Sequence, residues 1–126
     1  MRIEHLALWV KDLEGMKNFY CTYFQTIPSE KYHNPLKKFT SYFLSFNSGA
    51  RLEIMNKSGL DTLPDTQTYG WAHVAISAGS KEEVDFLTER LREDGYTVTG
   101  NPRTTGDGYY ESTVLDPEGN MIEITV

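Results

Sequence analysis

The sequence predicts an α+β fold assembled from two βαβββ modules, and three observations carry that prediction. The chain reads as strand, helix and a group of strands twice over. Apolar residues alternate with period two in the strand-like runs and recur at helical spacing in two segments between them. Turn and capping residues sit at the boundaries these runs require.

Ile3 to Val10 is the first strand-like run. Asp12 is a suitable N-cap for the helix that follows, Leu13 to Phe24, on which Leu13, Met16, Tyr20, Tyr23 and Phe24 make one apolar face. Two strands, Thr40 to Phe46 and Arg51 to Met55, close the first half around an Asn47-Ser48-Gly49 turn, and a further strand is expected around Pro28 to Tyr32. The second half opens with Trp71 to Ser77. Ser80-Lys81-Glu82-Glu83 then supplies a capping box for a helix that ends near Gly95. Val84, Leu87 and Leu91 form the buried stripe of that helix, and Phe86 points the other way. Strands follow at Tyr109 to Leu115 and Met121 to Val126, joined by Asp116-Pro117-Glu118-Gly119, which places Pro and Gly where a type I turn prefers them. One more strand is expected around Tyr96 to Thr99. The chain is thus read as one domain, with module one over about residues 1–55, a linker over about 56–70 and module two over about 71–126.

Composition narrows the function classes. In 126 residues, 39% hydrophobic content, 13% aromatics and ten glycines describe a chain that folds rather than one that stays disordered. Twelve Lys and Arg against eighteen Asp and Glu leave a net charge of −6 with no basic stripe, which argues against nucleic acid and anionic membranes as partners. The close pair Lys37-Lys38 reads as a solvated turn. The single cysteine, Cys21, precludes an internal disulfide and lies in a helical pattern without metal or nucleophile motifs around it. No signal-peptide pattern opens the chain and no apolar run approaches membrane-spanning length, so a cytoplasmic protein is expected.

Four residues carry the chemistry. His5 and His73 occupy the first strand of each half, 68 residues apart (73 − 5). Glu53 and Glu123 occupy the last strand of each half, 70 apart (123 − 53). Strand parity sets Glu53 opposite Leu52 and Ile54, Glu123 opposite Ile122 and Ile124, His73 opposite Val74 and Ile76, and His5 opposite Leu6 and Leu8. All four therefore face away from the aliphatic layer that the helices must cover. Two imidazoles and two carboxylates suit one divalent metal such as Zn, Ni or Co, with Mn or Fe also possible. A lone strand histidine is more often structural and a lone strand glutamate more often solvated, but four of them at matched places in a duplicated module favour the metal reading. His33, in Tyr32-His33-Asn34-Pro35, has no such context and reads as a solvated loop residue.

With Ile3-Glu4-His5-Leu6-Ala7-Leu8, Asn18-Phe19-Tyr20, Arg51-Leu52-Glu53-Ile54, Ala72-His73-Val74-Ala75 and Leu115-Asp116-Pro117-Glu118-Gly119-Asn120 in hand, the chain resembles the vicinal oxygen chelate superfamily over nearly its whole length. That superfamily includes glyoxalase I, fosfomycin-resistance thiol transferases, methylmalonyl-CoA epimerase, extradiol dioxygenases and bleomycin-resistance proteins. The resemblance implies an open, curved barrel of two modules around the metal. It also implies a homodimer whose sites are shared, with His5 and Glu53 of one chain meeting His73 and Glu123 of the other. The His-Glu-His-Glu set is the glyoxalase I pattern. It implies a lyase or isomerase acting on a small carbonyl or thiohemiacetal substrate by proton transfer through a metal-bound enediolate, with Glu123 or Glu53 as the base.

Other members of the same superfamily define the alternatives: a non-heme Fe(II) oxygenase, a thiol transferase, or a non-catalytic protein that binds a small drug. For substrate contacts the candidates are Arg51, Trp9, Trp71 and Tyr110, the last from a Thr104 to Tyr110 segment that reads either as a loop over the site or as an ordinary Gly-rich turn. Arg51 is the one evident cation on the ligand-bearing faces, with Arg103 available from a loop. Trp9, Met55, Trp71 and Met121 make those faces more apolar than charged, which weakens an assignment to glutathione.

Overall fold

In the computed structural model, which describes residues 3–60, 70–106 and 108–126, the alternating runs become two open mixed sheets, each carrying one helix. The chain divides into two units, Met1–Thr62 and Leu63–Val126. The α+β expectation and the repeated strand, helix, strands order both hold.

Unit one runs β1 (His5–Trp9), α1 (Leu13–Phe24), β2 (Ile27–Pro28), β3 (Tyr32–Asn34), β4 (Phe39–Ser45) and β5 (Arg51–Lys57). Its sheet has the order β1-β5-β4-β2, with β3 also paired to β4; β1 and β5 are parallel and the remaining pairs antiparallel. Helix α1 starts where Asp12 accepts a hydrogen bond from the Gly15 amide at 2.9 Å. A Cβ at Gly15 would stand 2.3 Å from Asp12 Oδ2, so the absence of a side chain there lets the cap close. Leu13, Met16, Phe19, Tyr20 and Phe24 are buried, and they cover Tyr42, Leu44, Leu52 and Ile54 of the sheet. Phe19 therefore joins the stripe, whereas Tyr23, expected in it, packs on Phe19 at 5.2 Å and is only half-buried.

The strand expected around Pro28 to Tyr32 is two short ones instead. Pro28 has no N–H to donate, and one residue later the Ser29 hydroxyl takes the Phe43 amide at 3.0 Å, so a side chain interrupts the ladder. His33, expected in a loop, lies in β3 opposite Thr40 and is exposed.

Unit two runs β6 (Val74–Ser77), α2 (Lys81–Glu93), β7 (Val98–Thr104), β8 (Tyr110–Leu115) and β9 (Met121–Thr125), in the sheet order β6-β9-β8-β7 with β6 and β9 parallel. Ser80 caps α2 through the Glu83 amide at 3.2 Å. At the far end Tyr96 N–H donates to Leu91 O at 2.9 Å around Gly95, whose φ of +89° is costly for any residue with a Cβ. The buried stripe is Val84, Thr88 and Leu91, with Leu87 half-buried. Thr88 can occupy an interior position because its hydroxyl donates to Val84 O at 2.6 Å and meets the Ser112 hydroxyl of β8 at 2.6 Å. Phe86 points outward as expected.

Strand β7 is longer and later than the Tyr96 to Thr99 expectation. It tolerates Pro102 because it is an edge strand, and its register against β8 shifts at Gly100 and again before Arg103. Arg103 and Thr104 are thereby strand residues, and the connection shrinks to Thr105–Tyr109, closed by Thr105 N–H to Tyr109 O at 2.8 Å and Gly108 N–H to Thr105 O at 3.0 Å. The strand expected from Trp71 begins only at Val74, and β5 continues to Lys57, past the expected start of the linker. Linker residues 61–69 lie outside the described residues. Among those described, no helix is long and apolar enough to cross a membrane.

Candidate metal centre

In unit one the parallel β1–β5 register pairs His5 with Arg51, Ala7 with Glu53 and Trp9 with Met55. These residues share one sheet face because Leu6, Leu8, Leu52 and Ile54 take the other, beneath α1. His5 Nε2 stands 3.9 Å from Glu53 Oε2. Phe43 of β4, across from Glu53, meets the His5 ring edge-on at a centroid distance of 5.3 Å.

The other imidazole nitrogen of His5, Nδ1, is 2.6 Å from Glu4 Oε2. The same carboxylate accepts from Arg51 Nε at 2.9 Å and pairs with its Nη2 at 2.6 Å. The Arg51 guanidinium also lies over the Phe43 ring, 4.0 Å from its centroid. The His5 hydrogen bond and the Arg51 charge together hold the Glu4 carboxyl below the usual glutamate range.

Unit two repeats the arrangement. The β6–β9 register pairs Ala75 with Glu123, while Val74, Ile76, Ile122 and Ile124 point to α2. His73, just before β6, keeps the parity of Ala75 and puts Nε2 3.4 Å from Glu123 Oε2. The β8–β9 register adds Thr113 beside Glu123 and Glu111 beside Thr125 on this face. Burial, and then the charge of Glu111, push the Glu123 carboxyl above its ordinary value, partly opposed by His73 and Arg103. Arg103 itself pairs with Glu111 at 3.5 Å.

The geometry of each pair fits a metal ion. Two donors bound to one zinc-like ion at about 2.0–2.2 Å each can stand up to about 4 Å apart, and the separations of 3.9 Å and 3.4 Å lie within that reach. Each unit brings together two such donors. Among the described residues no group of three or more metal-ligating side chains converges.

The remaining expected contacts divide. Trp9 is on the His5 face, edge-on to Phe39 at 6.5 Å with the Lys57 ammonium 4.9 Å from its ring centre. Arg51 is on that face too, but engaged by Glu4. Trp71 precedes β6 and is 88% exposed. Tyr110 was expected to reach toward the ligands, and the structure places it otherwise. It shares the parity of the buried Ser112 and Val114, and its hydroxyl donates to Asp85 Oδ1 of α2 at 2.7 Å, with Lys81 stacked 5.0 Å from the ring. The sheet has two sides, and the pleat gives Tyr110 the helix side.

Glu4 and Glu111 were not singled out from the sequence. Glu111 was available, since it alternates with Ser112 and Val114 in the same parity as Thr113. Glu4 was not, because alternation with His5 assigns it to the face of Leu6 and Leu8, whereas its carboxylate reaches His5 Nδ1 and Arg51 instead.

Residues 2–124 match the family model of the Glyoxalase/Bleomycin resistance protein/Dioxygenase superfamily, and the chain belongs to that superfamily. It is 31% identical over 130 residues to the lactoylglutathione lyase of Haemophilus influenzae, an alignment that covers 98% of this chain and 90% of the relative. Among solved structures it is similar to glyoxalase I from Zea mays, with a TM-score of 0.80 at 25% identity over 98% of this chain. It spans only 44% of that maize chain's length. It is also similar to a possible glyoxalase from Bacillus cereus, with a TM-score of 0.73 at 29% identity over 100% of this chain and 99% of the other. The superfamily includes glyoxalase I enzymes, whose type generally uses a divalent metal, and its members typically act on small molecules.

Proposed function

We propose that this chain is a metal-dependent lyase or isomerase of the glyoxalase I type, acting on a small carbonyl compound or thiohemiacetal. The observation that carries the reading is the repeated His–Glu pair, His5 with Glu53 and His73 with Glu123, at the same register position of two separately folded sheets. The four residues would together hold one divalent metal, with Zn, Ni or Co the favoured ions and Mn or Fe also compatible with the donor set. In the same reading the chain is a cytoplasmic homodimer in which His5 and Glu53 of one copy work with His73 and Glu123 of the other.

A divalent metal, when bound, polarises a carbonyl oxygen and makes the neighbouring C–H more acidic. The chain's own residues do the rest. Glu123 or Glu53 takes the proton from the carbon beside the carbonyl and returns it to the former carbonyl carbon, while the hydroxyl proton of the first carbon passes to the former carbonyl oxygen, so that no net proton is lost. Trp9, Met55 and Phe43 give the His5 face an apolar wall for the carbon part of the substrate. Arg51, held by Glu4, supports that wall through its stacking on Phe43.

Elemental analysis of protein purified without a metal-affinity tag tests the reading. About one metal per chain, lost in Glu53→Ala and in Glu123→Ala, together with isomerisation of a methylglyoxal–thiol adduct by the reloaded protein, is the expected outcome. Wild-type protein that neither carries metal nor takes it up would overturn it in favour of metal-free small-molecule binding.

A further inference from the structure

His5 and His73 occupy matching places but differ in their surroundings. Beside His73 in the chain stands Ala72, which has nothing to offer an imidazole. Beside His5 stands Glu4, whose carboxylate reaches back to Nδ1 at 2.6 Å and is itself held by two nitrogens of Arg51 at 2.6 and 2.9 Å. Arg51 is fixed in turn by stacking at 4.0 Å on Phe43, and the same Phe43 ring abuts His5. Glu4, Arg51, Phe43 and His5 form a closed ring of contacts drawn from β1, its approach, β4 and β5.

An imidazole that donates from Nδ1 to a carboxylate keeps its lone pair on Nε2, the nitrogen that here faces Glu53. We propose that Glu4 is a positioning residue: it locks the ring orientation and the Nδ1–H tautomer of His5, leaving Nε2 directed at the metal, while Arg51 serves to hold Glu4 rather than to receive a substrate carboxylate. The proposal rests on the metal-centre reading for its consequence, but the tautomer it requires is a property of the metal-free protein. A carboxylate behind a metal-ligating histidine both orients the ring and raises its basicity, and losing it typically costs about 10–100-fold in metal affinity. The matching position before His73 is Ala72, so this particular support belongs to His5.

The test compares wild type, Glu4→Ala, Glu4→Gln and Arg51→Gln in two measurements. Long-range proton–nitrogen spectra of the metal-free protein, at a pH where the imidazoles are neutral, report the tautomer of each histidine. Wild type should show His5 protonated at Nδ1. Glu4→Ala should shift His5 toward the Nε2–H form, with His73 and His33 unchanged as internal controls. Zn affinity, read by competition with a chelating dye, should fall about 10–100-fold in Glu4→Ala and by less in Arg51→Gln. Glu4→Gln, whose amide oxygen still accepts from Nδ1, should recover most of that loss. An unchanged His5 tautomer and unchanged Zn affinity in Glu4→Ala, with the circular dichroism of the wild type, would overturn the proposal. If the tautomer moves as expected but no variant, wild type included, takes up metal, then the metal-centre reading fails and the role of Glu4 in orienting His5 stands.

Discussion

Glu53 and Glu123 each stand between two aliphatic residues that dive under a helix, and the pleat alone sends their carboxylates to the opposite face. The mechanism asks one of them to carry a proton. Glu123→Gln and Glu53→Gln keep the volume of the side chain but not a base, so the residue that serves as base should show a loss of at least about 100-fold in turnover with an unchanged far-ultraviolet spectrum. Full activity in both variants would rule the mechanism out. Ser41 offers a stability test on the same face of unit one. It pairs with Met55 in register and is fully buried, and its hydroxyl has no hydrogen-bond partner among the described residues. An unpaired buried hydroxyl costs about 1–3 kcal/mol. Ser41→Ala should therefore leave the urea midpoint equal or higher; a clear drop would mean that the hydroxyl is satisfied after all.

Between elements, the joint in unit one is electrostatic as well as apolar. Glu14 in the first turn of α1 accepts from Lys17 at 2.7 Å, from Lys31 ahead of β3 at 2.9 Å and from the Tyr42 hydroxyl of β4 at 3.0 Å. These bonds lower its carboxyl from 4.5 to about 2. A carboxyl that binds its proton less readily when folded contributes stability above its unfolded value, and that contribution disappears as pH falls from about 4.5 toward 2. The urea midpoint of Glu14→Gln should accordingly depend less on pH across that window than the wild-type midpoint does. The difference should be modest because the cluster is open to solvent, and parallel curves would discard the linkage. In unit two the Asp116 carboxylate plays an equivalent organising part. It accepts from the Glu118 and Asn120 amides and from the Asn120 side chain, closing the turn that sets Thr113 beside Glu123. Both helices and most main strands were legible within a residue or two where one strong period ran between clear turn residues, though β6 starts three residues after the expected Trp71. They were not legible where a side chain or an irregular register took over, as Ser29 does ahead of β3 and as the shifts at Gly100 and Arg103 do in β7.

For the whole molecule, the proposed sharing of sites between copies makes a prediction that a site built within one chain does not. His5→Ala and Glu123→Ala should each be inactive alone. In a mixed dimer under the shared arrangement, one site would receive both lesions and the other neither. Unfolding and refolding the two variants together should then restore metal and activity in about one site per mixed dimer. No recovery, with mixed dimers demonstrated, would favour sites contained within a chain. Period and parity by themselves determined the α+β class, the duplication and the face carried by His5, Glu53, His73 and Glu123, because each follows from local rules that repeat along the chain, while the superfamily was legible as a resemblance carried by motifs such as Ile3-Glu4-His5-Leu6 and Ala72-His73-Val74-Ala75. Only the tertiary structure decided that Glu4 backs His5 and holds Arg51, that Glu111 neighbours Glu123, and that Tyr110 turns to α2. Those contacts depend on partners brought together from up to 47 positions apart, and a period along one strand does not name the partner a side chain meets across the sheet.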